Sequence, residues 1–316
     1  MTLDNILEEI KKAESIVILM HESPDGDAIG SSLAMYLALK QLGKNADILV
    51  GDYPKMFSFL PGIDVIKTES EIKNYDLAIT VDCATTKQLN SYIEYFNGAN
   101  STIVIDHHES NAMYGDLNYV DPNAPACCQV LLVLFSYFKI VVNKDIGTCI
   151  LAGIITDTGG FRYESVTAET FKFVAGLAET GINVSKIYQN VYSSMPKSKF
   201  DLHRIALNRM EFIENGKIAY TYITKQDEEE VNAENGDYDG IAERGRDVEG
   251  VEVSIFIRET EKGLKASLRS KNYVNVSEIC RIFGGGGHLR AAACSMQCSF
   301  EQAKNQILNQ VKAVLK

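Results

Sequence analysis

The chain alternates short, wholly apolar runs with segments in which apolar residues return every three to four positions. SIVILM (15–20), ADILV (46–50), YDLAITV (75–81) and STIVI (101–105) are apolar on both faces. That pattern predicts parallel strands buried under helices on either side. IGSSLAMYLALKQLG (29–43) and TAETFKFVAGLAETG (167–181) carry helical spacing and stop at Gly43 and Gly181. QVLLVLFSYFKI and DIGTCILAGIITDT predict buried helices. NVYSSMPKSKFDLHRIALNRM (190–210) is polar, holds Pro196 and runs into a helical pattern, which marks an interdomain linker. Beyond it the pattern turns to β. MEFIENGKIAYTYI places Asn215-Gly216 between two apolar runs, a strong hairpin signal. VEVSIFIRET and GLKASLRS predict a second hairpin, VSEICRIF a short helix, GGGG (284–287) a loop, and FEQAKNQILNQVKAVLK a closing amphipathic helix. The acidic stretch 227–247 reads as partly loop-like surface. The expected organisation is an α/β domain over 1–189, a linker over 190–210 and a smaller α/β domain over 211–316.

Bulk composition narrows the function. A chain of 316 residues suits about two domains at ~150 residues each. The greasiest run, VLLVLF (130–135), is soon broken by Ser136 and Lys139, well short of the ~20 apolar residues a membrane span needs. Asp4, Glu8 and Glu9 stand where a signal peptide is basic and then apolar, so a cytoplasmic protein without membrane contact is expected. Seven cysteines without a CxxC pair read as structural thiols. The net charge of −11 excludes a long nucleic-acid duplex, whose binding needs many phosphates neutralised by Lys and Arg. A small anion remains open where metal ions reverse the local sign.

The chemistry gathers at the predicted strand ends, where open α/β sheets bind ligands. His21, Asp25 and Asp27 follow the first strand, Asp82 the third, and Asp106, His107 and His108 the fourth; Asp157 ends the helix GTCILAGIIT. Singly, each has an ordinary explanation: Asp25-Gly26-Asp27 is a common turn, and Asp82 suits a strand-end cap. Together they concentrate more negative charge than one pocket tolerates without an offsetting cation. Mixed histidine and carboxylate donors without thiolate suit Mn²⁺, Fe²⁺, Co²⁺ or Mg²⁺ better than a structural zinc. Paired ions sharing a carboxylate serve displacement at phosphorus. Within IDHHES (105–110), the residues alone leave open which side chain does what.

Four stretches, HESPDGDAIGS, VDCAT, DHH and TDTGGFRY, resemble the motifs of the DHH phosphoesterase family, in the family's order. GGGGHLRAAA resembles the GGGH signature of the DHHA1 domain, and the layout with SLRSK is most similar to the nanoRNase/pAp-phosphatase (NrnA-type) branch. The resemblance implies a Rossmann-like DHH domain and a DHHA1 domain with a cleft between them. It implies two divalent ions, Mn²⁺ foremost with Mg²⁺ or Co²⁺ as alternatives. His21, Asp25 and Asp82 would hold one, and Asp27, Asp82, His107 and Asp157 the other. His108 would face the substrate phosphate, with Asp106 fixing an imidazole from behind. Gly285, Gly286 and Gly287 would turn backbone N–H groups toward an anion, His288 would contact phosphate or base, and Arg269 and Ser270 would grip the terminal phosphate. Arg162 would reach the phosphate or brace Asp157. The family's Ala-Ala-Gly after GGGH is absent; Ala292-Ala293-Cys294 or Ala291-Ala292-Ala293 stands there, depending on alignment. The implied partners are short single-stranded RNA, dinucleotides and pAp, with a second copy of the chain as a candidate. The alternatives are a phosphodiesterase of cyclic dinucleotides or their linear products, a family II inorganic pyrophosphatase, and a non-catalytic nucleotide-binding regulator.

Overall fold

A computed structural model describes residues 3–234 and 236–316. The chain divides into two compact units, the first ending at Ser194 and the second beginning at Met195.

The first unit is built on six strands: β1 (Ile16–Leu19), β2 (Ala46–Leu49), β3 (Ile66–Lys67), β4 (Leu77–Val81), β5 (Ser101–Asp106) and β6 (Leu117–Val120). They order β3-β2-β1-β4-β5-β6, and every pairing is parallel. β1, β4 and nearly all of β5 are buried, as the continuous apolar runs require. The helices are α1 (Leu3–Lys12), α2 (Gly26–Gln41), α3 (Ile93–Asn97), α4 (Cys127–Phe138), α5 (Lys144–Asp157), α6 (Ala168–Glu179) and α7 (Val184–Tyr192). β3 and β6, which the apolar pattern does not announce, are short edge strands; LNYV in β6 is only half-buried. The chain winds outward in both directions from the β1–β4 pair, so the crevice at their carboxyl ends is a topological switch point.

α2 and α5 pack closely because small residues face each other. A Cβ on Gly30 would lie 2.6 Å from the Cys149 carbonyl oxygen, and one on Gly153 would lie 2.3 Å from Cys128 Sγ and 2.7 Å from Asp27 Oδ1. Gly153→Ala should therefore destabilise by about 1–3 kcal/mol and lower Tm by roughly 5–10 °C. A variant melting within a degree of the parent would show that the helices separate without cost.

The second unit opens with α8 (Lys197–Asn208), followed by β7 (Glu211–Ile213), β8 (Ile218–Ile223), α9 (Lys225–Glu230), α10 (Ile241–Asp247), β9 (Val253–Thr260), β10 (Gly263–Ser270), α11 (Val276–Ile282), β11 (Gly286–His288), β12 (Ala291–Met296) and α12 (Phe300–Val314). Both hairpins form as the sequence predicts. The sheet order is β11-β12-β10-β9-β8-β7, antiparallel except for β8 beside β9. Leu264, Ala266 and Leu268 pack under α11 and α12 on one face. Leu202, Ala206, Ile223, Ile241, Ala242 and Phe256 form a smaller core on the other.

Two expectations change here. The stretch 190–210 is not a linker throughout: the boundary between units falls at 194/195, and the helical pattern after Pro196 is a packed helix. α7 runs to Tyr192, and α8 packs Leu202 and Ala206 against β8, with only 193–196 between the helices. Most polar residues of α8 face solvent, while His203 is buried with its Nε2 3.1 Å from the Asp237 carbonyl oxygen. The acidic stretch 227–247 is likewise more than surface. Ile241 and Ala242 are core residues, and Asp227 is buried because it caps α9 at Thr224 and pairs with both terminal nitrogens of Arg209.

Candidate metal centre

Each chemical side chain sits just beyond an element that the apolar pattern defines. His21 lies two residues past β1. Asp25 caps α2, its Oδ1 accepting the N–H groups of Asp27 and Ala28 at 2.9 and 3.1 Å. Asp27, fully buried in the first turn of α2, accepts the N–H groups of Cys127 and Cys128 at 2.5 and 3.0 Å. It thereby satisfies the open N-terminus of α4, whose partial positive charge favours a carboxylate. Asp82 follows β4 with φ of 52°, a left-handed conformation uncommon outside glycine. Asp106 ends β5, and Asp157 ends α5.

These residues converge. His107 Nε2 lies 3.4 Å from Asp82 Oδ1, 3.3 Å from Asp157 Oδ2 and 3.9 Å from Asp27 Oδ2. His21 Nε2 lies 3.8 Å from Asp82 Oδ2. Ligand-type atoms of His21, Asp25 and Asp82 fall within 4.8 Å of one another, as do those of Asp27, His107 and Asp157. Asp82 Oδ2 faces His21 and its Oδ1 faces His107, and its ligand-type atoms also cluster with those of Asp106, His107 and His108. Its Oδ1 is buried without a hydrogen-bond partner among the described residues.

The electrostatics describe a site that needs positive charge. Burial pushes the Asp82 carboxyl well above the usual carboxylate range, and the Asp27 charge pushes it further. Burial also raises Asp27 itself. Asp157 is pushed up to about 7 by burial and by Asp27. Burial pulls the His107 imidazolium down, but Asp82, Asp27 and Asp157 outweigh it and push it up to about 10. In a set of clustered carboxylates, one orphaned, such shifts express like-charge repulsion that divalent cations relieve. The donor set fits such ions: carboxylate and imidazole, no thiolate, with free ligand capacity.

The DHH triplet divides its labour. Asp106 is fully buried and belongs to the scaffold. Its Oδ1 accepts the His107 N–H and His108 Nδ1, both at 2.8 Å, and its Oδ2 accepts Asn111 Nδ2 at 2.6 Å. Burial would raise this carboxyl, yet those donors hold it below the usual range. The imidazole it fixes is His108, whose ionised form it stabilises. The far nitrogen of His107 faces the Ala124 carbonyl oxygen at 3.2 Å instead. His108 is also the more open imidazole, its side chain 29% accessible against 14% for His107. Ala124 and Asn111 escape a reading by residue type, since a backbone carbonyl carries no sequence signal and an isolated asparagine is usually a turn residue.

Other candidates land elsewhere. Arg162 donates from Nε to the Gly159 carbonyl at 2.6 Å, bracing a turn in which Gly159, Gly160 and Phe161 all have positive φ. In the second unit, Arg269 and Ser270 are adjacent on β10 and so face opposite sides of the sheet. Ser270 lies on the core face, 2% exposed, and its hydroxyl donates to the Val274 carbonyl at 2.6 Å. It is not placed to grip a substrate. Arg269 lies on the other face with Lys265 and Ser267, lining a cavity of about 310 Å³ that includes Tyr238, Phe256 and Arg258. Its Nε donates to Glu243 at 2.7 Å. The glycines are not a free loop either. Gly286, Gly287 and His288 form β11 against β12. The Gly285 N–H goes to the Cys280 carbonyl, and a Cβ there would lie 2.2 Å from the Ala293 carbonyl oxygen. Close packing on β12 therefore demands Gly285, whereas His288 is exposed. Cys294 is buried on β12. All seven cysteines are free.

Comparison with known proteins accords with this geometry. Residues 15–154 match the N-terminal domain of the DHH family, and residues 215–316 match the DHHA1 domain. A bifunctional oligoribonuclease and PAP phosphatase of Thermus thermophilus is 34% identical over 314 residues, spanning 98% of this chain and 93% of its own. The chain belongs to the DHH family of phosphoesterases. The DHH and DHHA1 pair also matches the crystal structure of an exopolyphosphatase-related protein from Bacteroides fragilis, 27% identical with a TM-score of 0.92 over 99% of this chain and 96% of that one. RecJ of Thermus thermophilus, crystallised with Mn²⁺, shares the DHH fold at 15% identity, with a TM-score of 0.59 over 99% of this chain and 54% of its own. The DHH chain is thus a hydrolase of phosphoesters whose acidic and histidine cluster is suited to metal ions. Among the described residues, no helix is long and apolar enough to cross a membrane.

Proposed function

We propose that the chain is a two-metal phosphoesterase of the cytoplasm that cleaves oligoribonucleotides of a few units to mononucleotides and removes the 3′-phosphate of pAp. The observation that carries this reading is Asp82, whose two oxygens face His21 and His107 while Oδ1 lacks a hydrogen-bond partner among the described residues. His21, Asp25 and Asp82 would hold one ion, and Asp27, Asp82, His107 and Asp157 the other, with Mn²⁺ the best match to these donors. When bound, paired divalent ions supply a nucleophile from water near neutral pH and neutralise phosphate oxygens.

The chain's own groups do the rest. Asp27 is held by the N-terminus of α4 and Asp25 by its own cap, so two carboxylates are positioned before substrate arrives. Asp106 keeps His108 oriented through Nδ1, which leaves Nε2 to hydrogen-bond the substrate phosphate or protonate a departing oxygen. Arg269 and the exposed His288 of the DHHA1 domain bind the nucleotide's phosphate or base. The net charge of −11 and the activity named for the Thermus relative support a short substrate over a long polymer.

The test is a substrate panel: a labelled diribonucleotide, pAp, a cyclic dinucleotide and pyrophosphate, each with and without Mn²⁺. The expected result is Mn²⁺-dependent release of mononucleotide from the first and of phosphate from the second. Turnover confined to the cyclic dinucleotide or to pyrophosphate would overturn the assignment. Binding without turnover of any substrate would make the chain a nucleotide-binding regulator.

A further inference from the structure

We infer that Asn111 is a positioning residue of the metal centre, clamping together the two strand ends that deliver Asp82 and His108. The inference rests on the two-metal reading above. Asn111 Nδ2 donates to Asp106 Oδ2 at 2.6 Å and to the Cys83 carbonyl at 3.2 Å. Its Oδ1 accepts the Met113 N–H at 2.7 Å. Both amide protons and the carbonyl are therefore engaged. The orientation follows from chemistry, because a rotated amide would set its oxygen against the Asp106 carboxylate.

Only the Met113 bond is what an ordinary asparagine turn makes. The other two go beyond the turn, one back five residues to the carboxylate that orients His108, the other across to the carbonyl of Cys83, the residue after Asp82. The same carbonyl accepts the Tyr114 hydroxyl at 2.9 Å, so the segment following Asp82, itself at φ of 52°, is held from two sides. The neighbouring backbone reinforces the link: the Ala112 N–H donates to the Ala84 carbonyl, and the Asn111 N–H to the His108 carbonyl, both at 3.0 Å. One side chain thus couples the backbone beside a shared metal ligand to the group behind the open imidazole.

Asn111→Asp separates this role from a turn role. It keeps an oxygen for the Met113 N–H but opposes a carboxylate to Asp106 and to the Cys83 carbonyl. If Asn111 only shapes its turn, the variant should match the parent. If it clamps the centre, Co²⁺ affinity should fall by about 10–100-fold, as for other residues that orient metal sites, and the visible Co²⁺ spectrum should change. Turnover of pAp should fall through kcat, with KM within about twofold. Asn111→Ala should shift the same readouts in the same direction, with folding checked by circular dichroism. Parental Co²⁺ affinity and spectrum in folded Asn111→Asp would overturn the inference while leaving the metal centre intact, and loss of fold in both variants would also overturn it by assigning Asn111 to the scaffold. A parent chain that takes up no Co²⁺ would overturn the metal centre and the clamp together.

Discussion

Asp82→Asn is expected to release both ions and lower kcat by on the order of 10³-fold or more, because the metals supply several kcal/mol of transition-state stabilisation. Asparagine is the informative replacement. It tolerates the left-handed backbone that Asp82 adopts, so the strand end keeps its shape while the shared charge disappears. The metal-free variant should be at least as stable as the parent. Burial and the neighbouring Asp27 already hold the Asp82 carboxyl far above its usual range, so its ionised form opposes folding when no cation is present. The parent should gain thermal stability when Mn²⁺ is added, and the variant should lose most of that gain. Metal content by plasma mass spectrometry, together with melting curves with and without Mn²⁺, decides the matter. Two ions retained per variant chain would sink the bridging role.

The second large effect falls on Asp106. Asp106→Asn should lower kcat by about 10²–10⁴-fold while metal stays bound, the range expected when a proton-transferring group is lost from its place. Asp106 is not needed to fill either ligand set, but it aligns His108 through Nδ1 and stabilises its protonated form. The pH profile carries the sign. The carboxylate raises the His108 pKa above its ordinary value, so protonated His108 persists to higher pH in the parent. Without that charge the basic limb of kcat should move to lower pH. An unmoved limb would mean that another group sets it, and equal loss of metal would place Asp106 among the ligands.

Much of this centre was legible before the fold. A strand apolar on both faces must stop where the chain turns polar, and Asp82, Asp106 and His21 stand at those stops. Asp25 and Asp27 were legible because a helix pattern begins beside them. The division between His107 and His108 was left open by the residues alone and was implied only by the family resemblance. Adjacent residues after a strand point in different directions, and only the neighbours contributed by distant segments, Ala124 and Asn111, decide which imidazole faces which partner. The same limit explains Ser270. Its chemistry suits a phosphate, but the register of β10 against β9 and β12 turns it into the core while Arg269 faces out. Gly285 is required for contact with Ala293, which no local pattern in GGGG reveals.

The sequence alone determined the parallel sheet, the two hairpins and the kinds of side chain at each strand end, because apolar periodicity and strand-terminal position are properties of local chain. Tertiary structure alone decided that Asp82 turns its two oxygens to His21 and His107, that Asp27 caps α4 as well as facing the centre, and that the helix at 197–208 packs into the second unit. Those outcomes depend on which distant backbone groups meet each side chain. Distance and hydrogen-bond geometry across the sheet, rather than residue type, set them.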